Sequence, residues 1–162
     1  MLIKLYSVFI FLKTEGITNS VYRLFEKVVT QFQPDAFVIQ CGADCLTADP
    51  LGGFNLTPDG MAKCIKIILE HAESKPCLFL GGGGYNRANT ARYWANITAQ
   101  IVSKSNSNEV TISNDIPDTP FFTIYGPSFE LRIQKGLRMS ENTDQEILSI
   151  TEEALGKIMH PN

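Results

Sequence analysis

Two loops of the 162-residue sequence carry the residues best suited to chemistry. The first, residues 41–50, places Asp44 and Asp49 just after a short apolar run. A carboxylate there can ligate a divalent metal, act as a base, or only cap its own loop. The second loop has four consecutive glycines, 81–84, followed by Tyr85. That phenol could donate a hydrogen bond to a developing oxyanion, or it could simply pack against its neighbours.

Other chemistries fit these loops poorly. The glycine run is not a phosphate loop, because no Gly-Lys-Ser/Thr follows it, and Asn86 and Arg87 do not supply the third small residue of a dinucleotide fingerprint. This disfavours a nucleotide-binding α/β domain. Cys41 and Cys45 are loosely spaced and no second pair exists, which argues against a structural zinc site.

The elements that must position these loops follow from hydrophobic spacing. Residues 36–41 and 77–80 are short apolar runs without alternation, typical of parallel strands that are covered on both faces. Helices are predicted over 18–33, from Pro58 to 72, from 86 to about 102, and over 143–159. This order predicts an α/β protein with a parallel sheet. Residues 103–119 are predicted to form a surface loop, and 121–127 to return to the body.

The same spacing predicts the buried face and the ends of each helix. Thr18, Asn19 or Ser20 caps the first helix and Pro34 ends it, while Thr57 and Asn86 cap the second and third. The predicted inner residues, in helix order, are Val21, Leu24, Phe25, Val28 and Phe32; Met61, Cys64, Ile65, Ile68 and Ala72; Ala91, Trp94, Ile97, Thr98 and Ile101; and Ile147, Ile150, Ala154 and Ile158.

The sheet topology brings the two loops together. Ligands of open α/β sheets bind beyond the carboxyl ends of the strands. We therefore expect Asp44 and Tyr85 to emerge side by side from neighbouring strand ends and to face a common cavity.

Composition limits the class of protein. Hydrophobic residues make up 44% of the chain and charged residues 19%, which fits one globular domain. The net charge of −3 provides no basic balance for binding nucleic acid or an acidic membrane. The four cysteines, at positions 41, 45, 64 and 77, are expected to be reduced thiols of a cytosolic or nuclear protein.

The amino terminus is apolar. Residues 1–13 are too short to span a bilayer and are interrupted by Lys4. They could imitate the core of a signal peptide, but residues 14–17 offer no small-residue cleavage site. We predict a buried strand here.

Three motifs together carry a family resemblance. The runs CGAD (41–44), DPLGGFNLTP (49–58) and LGGGGYNRANTARYW (80–94), in this order, resemble the class I histone deacetylases, and residues 49–50 and 88–92 look most like the type-eight subgroup. Shorter matches extend from about residue 5 to the last helix. The resemblance implies that residues 1–162 are the C-terminal part of a deacetylase catalytic domain, with an incomplete three-layer α/β/α, arginase/deacetylase-like fold.

The resemblance also assigns roles. Asp44 matches an aspartate ligand of the catalytic Zn²⁺, and Tyr85 matches the tyrosine that polarises the acyl carbonyl of the substrate. The remaining matched positions are expected to line the acyl-lysine tunnel: Gly83, Gly84, Pro50 and Leu51. Asp49 is expected to be structural, fixing its loop. The implied partners are acetylated histones or other acetyl-lysine proteins, in the nucleus or cytoplasm.

Part of the family's machinery is missing from this sequence. It has neither the Asp-x-His zinc ligands nor the His-His dyad, and its two histidines are His71, expected near a solvated helix face, and His160 in the tail. We therefore expect the chain alone to be inactive, as a truncated product or an incomplete gene model whose partner is the missing N-terminal half or a homologous subunit. The alternative is a non-catalytic deacetylase-like binding module.

Overall fold

The computed structural model of the chain describes residues 14–106, 108–137 and 143–159. The elements follow the order α1 (Thr14–Phe32), β1 (Phe37–Gln40), α2 (Pro58–Ala72), β2 (Cys77–Leu80), α3 (Arg87–Asn106), a 3₁₀ turn (Phe122–Tyr125) and α4 (Asp144–Met159). The strand predicted within 1–13 lies outside the described residues. None of the described helices is both long and apolar enough to cross a membrane.

The predicted parallel pairing is confirmed. β1 and β2 form a two-stranded parallel sheet in which Phe37 pairs with Cys77 and Gln40 pairs with Leu80. Parallel strands need a crossover connection, and α2 supplies it. The described part of the chain therefore has mixed α/β architecture, while the three-layer arrangement stays a prediction.

The hydrophobic core lies on one face of this sheet. Phe37 and Ile39 of β1 are buried there, and Phe25 of α1 packs against Phe37 with ring centroids 5.5 Å apart. The other buried helix residues of the same cluster are Cys64, Ile65, Leu69 and Ala72 of α2, Tyr93 and Ile97 of α3, and Ile147 of α4. All four helices thus contribute to the core on the side of Phe37 and Ile39.

The prediction that both faces of the strands are covered is wrong for the described residues. Val38 of β1 is 69% exposed and Leu78 of β2 is 55% exposed. Successive side chains of a strand point to opposite faces, so helices packed on one side leave every second residue in contact with solvent.

Helices α1 and α2 largely match the prediction. α1 begins at Thr14, ahead of the predicted caps, and ends at Phe32, after which Gln33 has a positive φ of 47° and Pro34 follows. Phe32 is exposed, contrary to the prediction. Thr57 caps α2 as predicted, its hydroxyl accepting a hydrogen bond from the Gly60 N–H at 3.2 Å.

The predicted inner stripe of α3 is wrong at three positions, Ala91, Trp94 and Thr98, all of which are exposed. The buried positions of α3 are Ala88, Asn89, Arg92, Tyr93, Ile97 and Ala99. Counting apolar residues misplaces this face because polar side chains occupy part of it. The helix also extends to Asn106, into the region predicted as loop.

Arg92 shows how a polar side chain is accommodated in the interior. Its guanidinium donates to the carbonyl oxygens of Glu130 at 2.7 Å and Tyr125 at 2.8 Å, and it lies 5.1 Å from the centroid of the Tyr125 ring. These bonds replace the hydration that burial removes. They also hold residues 125–130 against α3, in agreement with the predicted return of 121–127 to the body.

Helix α4 packs on α1 through a partly polar face. Ile147 is buried as predicted, but Ile150 is exposed and Thr151 is buried in its place. The Thr151 hydroxyl lies 2.8 Å from that of Ser20 on α1, and one of the two hydroxyls donates to the other. α4 therefore faces α1 through Thr151 and not through Ile150, a difference that hydrophobic spacing does not reveal.

Candidate active site

The two predicted loops leave adjacent strand ends. The ladder between β1 and β2 continues past Gln40 and Leu80, because the Cys41 N–H donates to the Leu80 carbonyl at 2.8 Å. Beyond the ends of the strands, the Ala43 N–H donates to the Gly83 carbonyl at 2.6 Å. The predicted adjacency of the loops is therefore present in the structure, although the common cavity stays a prediction.

The Asp44 carboxylate lies directly against the glycine run. A Cβ added at Gly83 would lie 2.5 Å from Asp44 Cγ, a distance that real Cβ atoms do not show. A Cβ at Gly42 would lie 3.0 Å from Asp44 Oδ1 and 3.3 Å from the Gly83 nitrogen. Glycine at these positions lets the half-buried carboxylate sit between the two loops.

Asp49 fixes its own loop, as expected, and also joins it to the second loop. Its Oδ1 accepts hydrogen bonds from the N–H groups of Leu51 at 2.9 Å and Gly52 at 2.8 Å. Its Oδ2 accepts from the N–H of Tyr85 at 2.8 Å. Burial alone raises the pKa of this carboxyl, but the backbone N–H donors outweigh burial and hold the pKa below its ordinary value of 3.8.

The turn that presents Tyr85 requires glycine. Gly84 has a φ of +144°, and a Cβ there would lie 2.6 Å from Thr90 Oγ1 and 2.9 Å from Ala43 Cβ. Asn86 then begins α3 as the predicted cap, its side-chain oxygen accepting from the Asn89 N–H at 3.1 Å. The turn is thus fixed on both sides of Tyr85, whose side chain is 54% exposed.

The predicted tunnel residues Pro50 and Leu51 lie on the surface of the first loop. Leu51 is 72% exposed, and its backbone is held by Asp49. The next residue, Gly52, packs so closely on the Asp44 backbone that no side chain fits there. Gly52 therefore lies against Asp44, while contact of Pro50 and Leu51 with substrate stays a prediction.

The cysteines near this site, Cys41 and Cys45, are free thiols with little solvent exposure. All four cysteines of the chain are free, as expected. Burial, with the nearby Asp44 charge as a smaller cause, raises the pKa of the Cys45 thiol to about 12. Burial likewise raises the pKa of Cys41. Both thiols are therefore held in the protonated, unreactive form.

His71 does not belong to the site. It lies half-buried at the end of α2, where its Nδ1 is 2.8 Å from the Ile67 carbonyl. Its ring packs edge-on against Tyr22 and Phe25 of α1. Over 14–106, 108–137 and 143–159, no group of three His, Cys, Asp or Glu residues is arranged to hold a metal.

Sequence reasoning missed one further residue that shapes the site. Trp94 donates its indole N–H to the Cys41 carbonyl at 3.0 Å, at the end of β1. The same ring lies beside Gly81, where an added Cβ would lie 3.4 Å from Trp94 Cζ2. Trp94 therefore supports the start of both loops. Sequence spacing had instead predicted Trp94 in the core, because its side chain is largely apolar.

Comparison with known proteins identifies the class that this fold and site define. Residues 9–101, which include Asp44 and the whole glycine turn, match the histone deacetylase domain. The chain is 42% identical over 135 residues to histone deacetylase 8 of Xenopus laevis, 43% over 124 residues to histone deacetylase 8 of Danio rerio, and 37% over 141 residues to human histone deacetylase 1.

These matches show that the chain belongs to the histone deacetylase family. They cover 83%, 76% and 84% of this chain, respectively. They cover only 39%, 31% and 28% of the corresponding relatives. The chain therefore spans less than half the length of the relatives it matches.

Proposed function

We propose that this chain is the C-terminal part of a zinc-dependent protein-lysine deacetylase, which hydrolyses N-acetyl-lysine on histones or other proteins in the nucleus or cytoplasm. One observation carries the proposal: the Asp44 carboxylate packs against the glycine turn that presents Tyr85, at the carboxyl ends of two paired parallel strands. Membership of the histone deacetylase family supports the same reaction.

Tyr85 is the proposed catalytic residue of this chain. Amide hydrolysis places negative charge on the acyl oxygen as the tetrahedral intermediate forms, and a positioned hydroxyl donor stabilises that charge. The Tyr85 backbone is fixed by Asp49 on a glycine turn, while its ring is more than half exposed and accessible to a substrate. A donor held in place before the reaction costs little reorganisation when the charge appears.

The substrate-binding residues proposed beside it are Gly83, Gly84, Pro50 and Leu51. Asp44, Ala43 and Thr90 occupy the space that a Cβ at either glycine would need, so the acyl-lysine chain would meet the bare backbone of the turn beside Tyr85. Leu51 offers an exposed apolar side chain to the lysine methylenes.

The described residues do not form a zinc site by themselves. The family resemblance implies Zn²⁺, with Asp44 as one ligand, but a catalytic zinc takes three protein ligands. The described ranges bring no such group of three together. We propose that the remaining ligands and the water-activating base come from another segment, in the same or a separate polypeptide, and that these 162 residues alone do not turn over acetyl-lysine.

The incomplete ligand set favours a second candidate. A deacetylase-like module that binds a partner without catalysis would need the fold and the loops but no metal. It would show neither zinc nor turnover in any assembly.

A chimaera separates the two functions. The 135 matched residues of the Xenopus laevis relative are replaced by the corresponding residues of this chain, and zinc content and deacetylation of an acetyl-lysine peptide are measured. We expect bound zinc and turnover, with Tyr85→Phe lowering kcat by about 10²–10³ and leaving zinc in place. Tyr22→Phe, an exposed tyrosine on α1, is the matched control and should change neither.

Two results would contradict the enzyme assignment. A folded chimaera without zinc or turnover would favour the binding module. Turnover that survives Tyr85→Phe would remove the tyrosine from its proposed role.

A further inference from the structure

Residues 47–49, which we call the 47–49 turn, have a strained backbone. Ala48 has a φ of 61°, in the left-handed region that residues with a Cβ rarely adopt. Such a conformation persists only where the surrounding contacts hold it. The next residue is Asp49, whose carboxylate accepts a hydrogen bond from the Tyr85 N–H at 2.8 Å. The contacts that hold the 47–49 turn therefore also decide where the acceptor for Tyr85 lies.

Two asparagine side chains at the start of α3 hold the 47–49 turn. The Nδ2 of Asn89 donates to the Thr47 carbonyl at 3.2 Å. The Nδ2 of Asn86 donates to the Ala48 carbonyl at 3.3 Å. Each residue of the 47–49 turn therefore makes a hydrogen bond to residues 85–89.

Of these two asparagines, Asn89 is the buried one, and its amide can face in only one direction. The residue is 6% exposed, and its Oδ1 accepts a hydrogen bond from the Arg92 guanidinium at 3.2 Å. A guanidinium can only donate, so the amide oxygen must face Arg92 and the NH₂ group must face the Thr47 carbonyl. Arg92 is held in turn by the carbonyl oxygens of Tyr125 and Glu130. The orientation of the Asn89 amide is thus fixed by residues outside the two loops.

We propose that Asn89 is a positioning residue for Tyr85 in the deacetylation reaction, and that Asn86 assists it. Asn89 holds the 47–49 turn, the turn places the Asp49 carboxylate, and the carboxylate holds the Tyr85 N–H. The inference rests on the proposed function, in which the Tyr85 hydroxyl stabilises charge on the acyl oxygen. Misplacing such a donor by about 1 Å can lower the rate by about 10²-fold, so kcat depends on how firmly the turn is held.

Asn89→Asp separates the two hydrogen bonds of this amide. The carboxylate still accepts from Arg92, but it has no N–H for the Thr47 carbonyl, and the two oxygens repel each other. Asn96→Asp is the matched control, because Asn96 lies on the same helix and its Nδ2 donates to the Arg92 carbonyl at 3.1 Å. Both variants make the same chemical change, but only Asn89→Asp breaks the link to the 47–49 turn.

Amide hydrogen exchange of Tyr85 measures this link directly in the full 162-residue chain. The Asp49 carboxylate protects the Tyr85 N–H, and a loosened turn exposes that N–H to water more often. We expect Asn89→Asp to speed its exchange at least about 10-fold and Asn96→Asp to leave it unchanged. Unchanged exchange in Asn89→Asp would overturn the inference.

Kinetic measurements on the chimaera connect this link to catalysis. Asn89→Asp should lower kcat by about 10–100-fold and change KM by less than about 2-fold, with zinc retained, because the charge on the acyl oxygen forms only in the transition state. In a Tyr85→Phe background, Asn89→Asp should lower kcat hardly further, because the hydroxyl that it positions is already absent. An equal loss in both backgrounds would reveal a general structural defect and contradict the positioning role.

A milder variant decides the question if Asn89→Asp does not fold. Asn86→Ser keeps a good helix cap but is too short to reach the Ala48 carbonyl, so Tyr85 exchange should become about 3-fold faster and kcat about 3-fold lower. No response of either quantity would refute the role of the asparagines.

The outcomes separate this inference from the proposed function. If Tyr85→Phe does not lower kcat in the chimaera, the proposed function fails. If Tyr85→Phe lowers kcat while Asn89→Asp changes neither exchange nor kcat, the proposed function stands and only the positioning role fails.

Discussion

Replacing Asp49 by asparagine tests how the two loops are held together. The carboxylate accepts three backbone N–H bonds of 2.8–2.9 Å, two from its own loop and one from Tyr85. Asparagine keeps one acceptor oxygen, and its amide group must face at least one of these donors. The variant therefore loses a charge-assisted bond and leaves a partly buried N–H without its acceptor.

The cost can be estimated from these contacts. Loss of one hydrogen bond to a charged acceptor lowers the unfolding free energy by about 2–3 kcal/mol. For a protein of this size, this corresponds to a fall in Tm of about 4–12 °C. Urea unfolding and thermal unfolding of Asp49→Asn measure it directly, with Asp118→Asn, on an exposed segment, as the control expected to stay within about 0.5 kcal/mol.

The pH dependence gives a second readout of the same carboxylate. The folded-state pKa of Asp49 lies below its ordinary value of 3.8. The charged carboxylate therefore stabilises the fold fully above about pH 3.8, and this stabilisation is lost as the pH falls through the folded-state pKa. The difference in unfolding free energy between the wild type and Asp49→Asn should therefore shrink on acidification. A stability loss below about 0.5 kcal/mol, or a difference that is constant with pH, would refute the account.

Three further predictions concern the backbone, the core and the thiols. Gly84→Ala should lower the unfolding free energy by more than about 2 kcal/mol, because a Cβ at this position has no room. Gly156→Ala is the control: the space around this residue of α4 is open, so the added methyl group should raise the unfolding free energy by about 0.5–1 kcal/mol in the same urea titration. Lysine at position 92 cannot form both hydrogen bonds that the Arg92 guanidinium makes to the two carbonyl oxygens. Arg92→Lys should therefore lower the unfolding free energy by about 2 kcal/mol and speed limited proteolysis after residue 120, whereas Arg87→Lys, at an exposed position, should change neither. Burial raises the pKa of Cys45 to about 12, so this thiol should react with iodoacetamide at pH 8 about 10³-fold more slowly than a free thiol. A rate equal to that of the unfolded chain would show that burial does not protect Cys45.

The positions of the main elements could be predicted because they depend on local signals. Thr57 and Pro58 mark the start of α2, and the apolar runs ending at Gln40 and Leu80 mark the two strands. The closeness of the Asp44 loop and the glycine turn followed from topology alone, since the carboxyl ends of paired parallel strands meet at one edge.

The features that the sequence did not predict depend on contacts between residues that are distant in the sequence. Arg92 and Asn89 are buried on α3 because backbone carbonyl oxygens of distant residues accept their hydrogen bonds, so hydrophobic spacing misplaced the inner face. The bond from Tyr85 to Asp49 spans 36 residues and has no local signature. Exposure of Val38 could not be read from its apolar run, because the run itself is typical of a covered strand.

We propose that Asp44 and Tyr85 form one side of a zinc deacetylase site. Anomalous diffraction at the zinc edge from crystals of the chimaera tests it directly. We expect a single peak about 2.0–2.2 Å from an Asp44 carboxylate oxygen, beside the glycine turn that carries Tyr85. A peak bound elsewhere in the fold, with Asp44 left without metal, would contradict it.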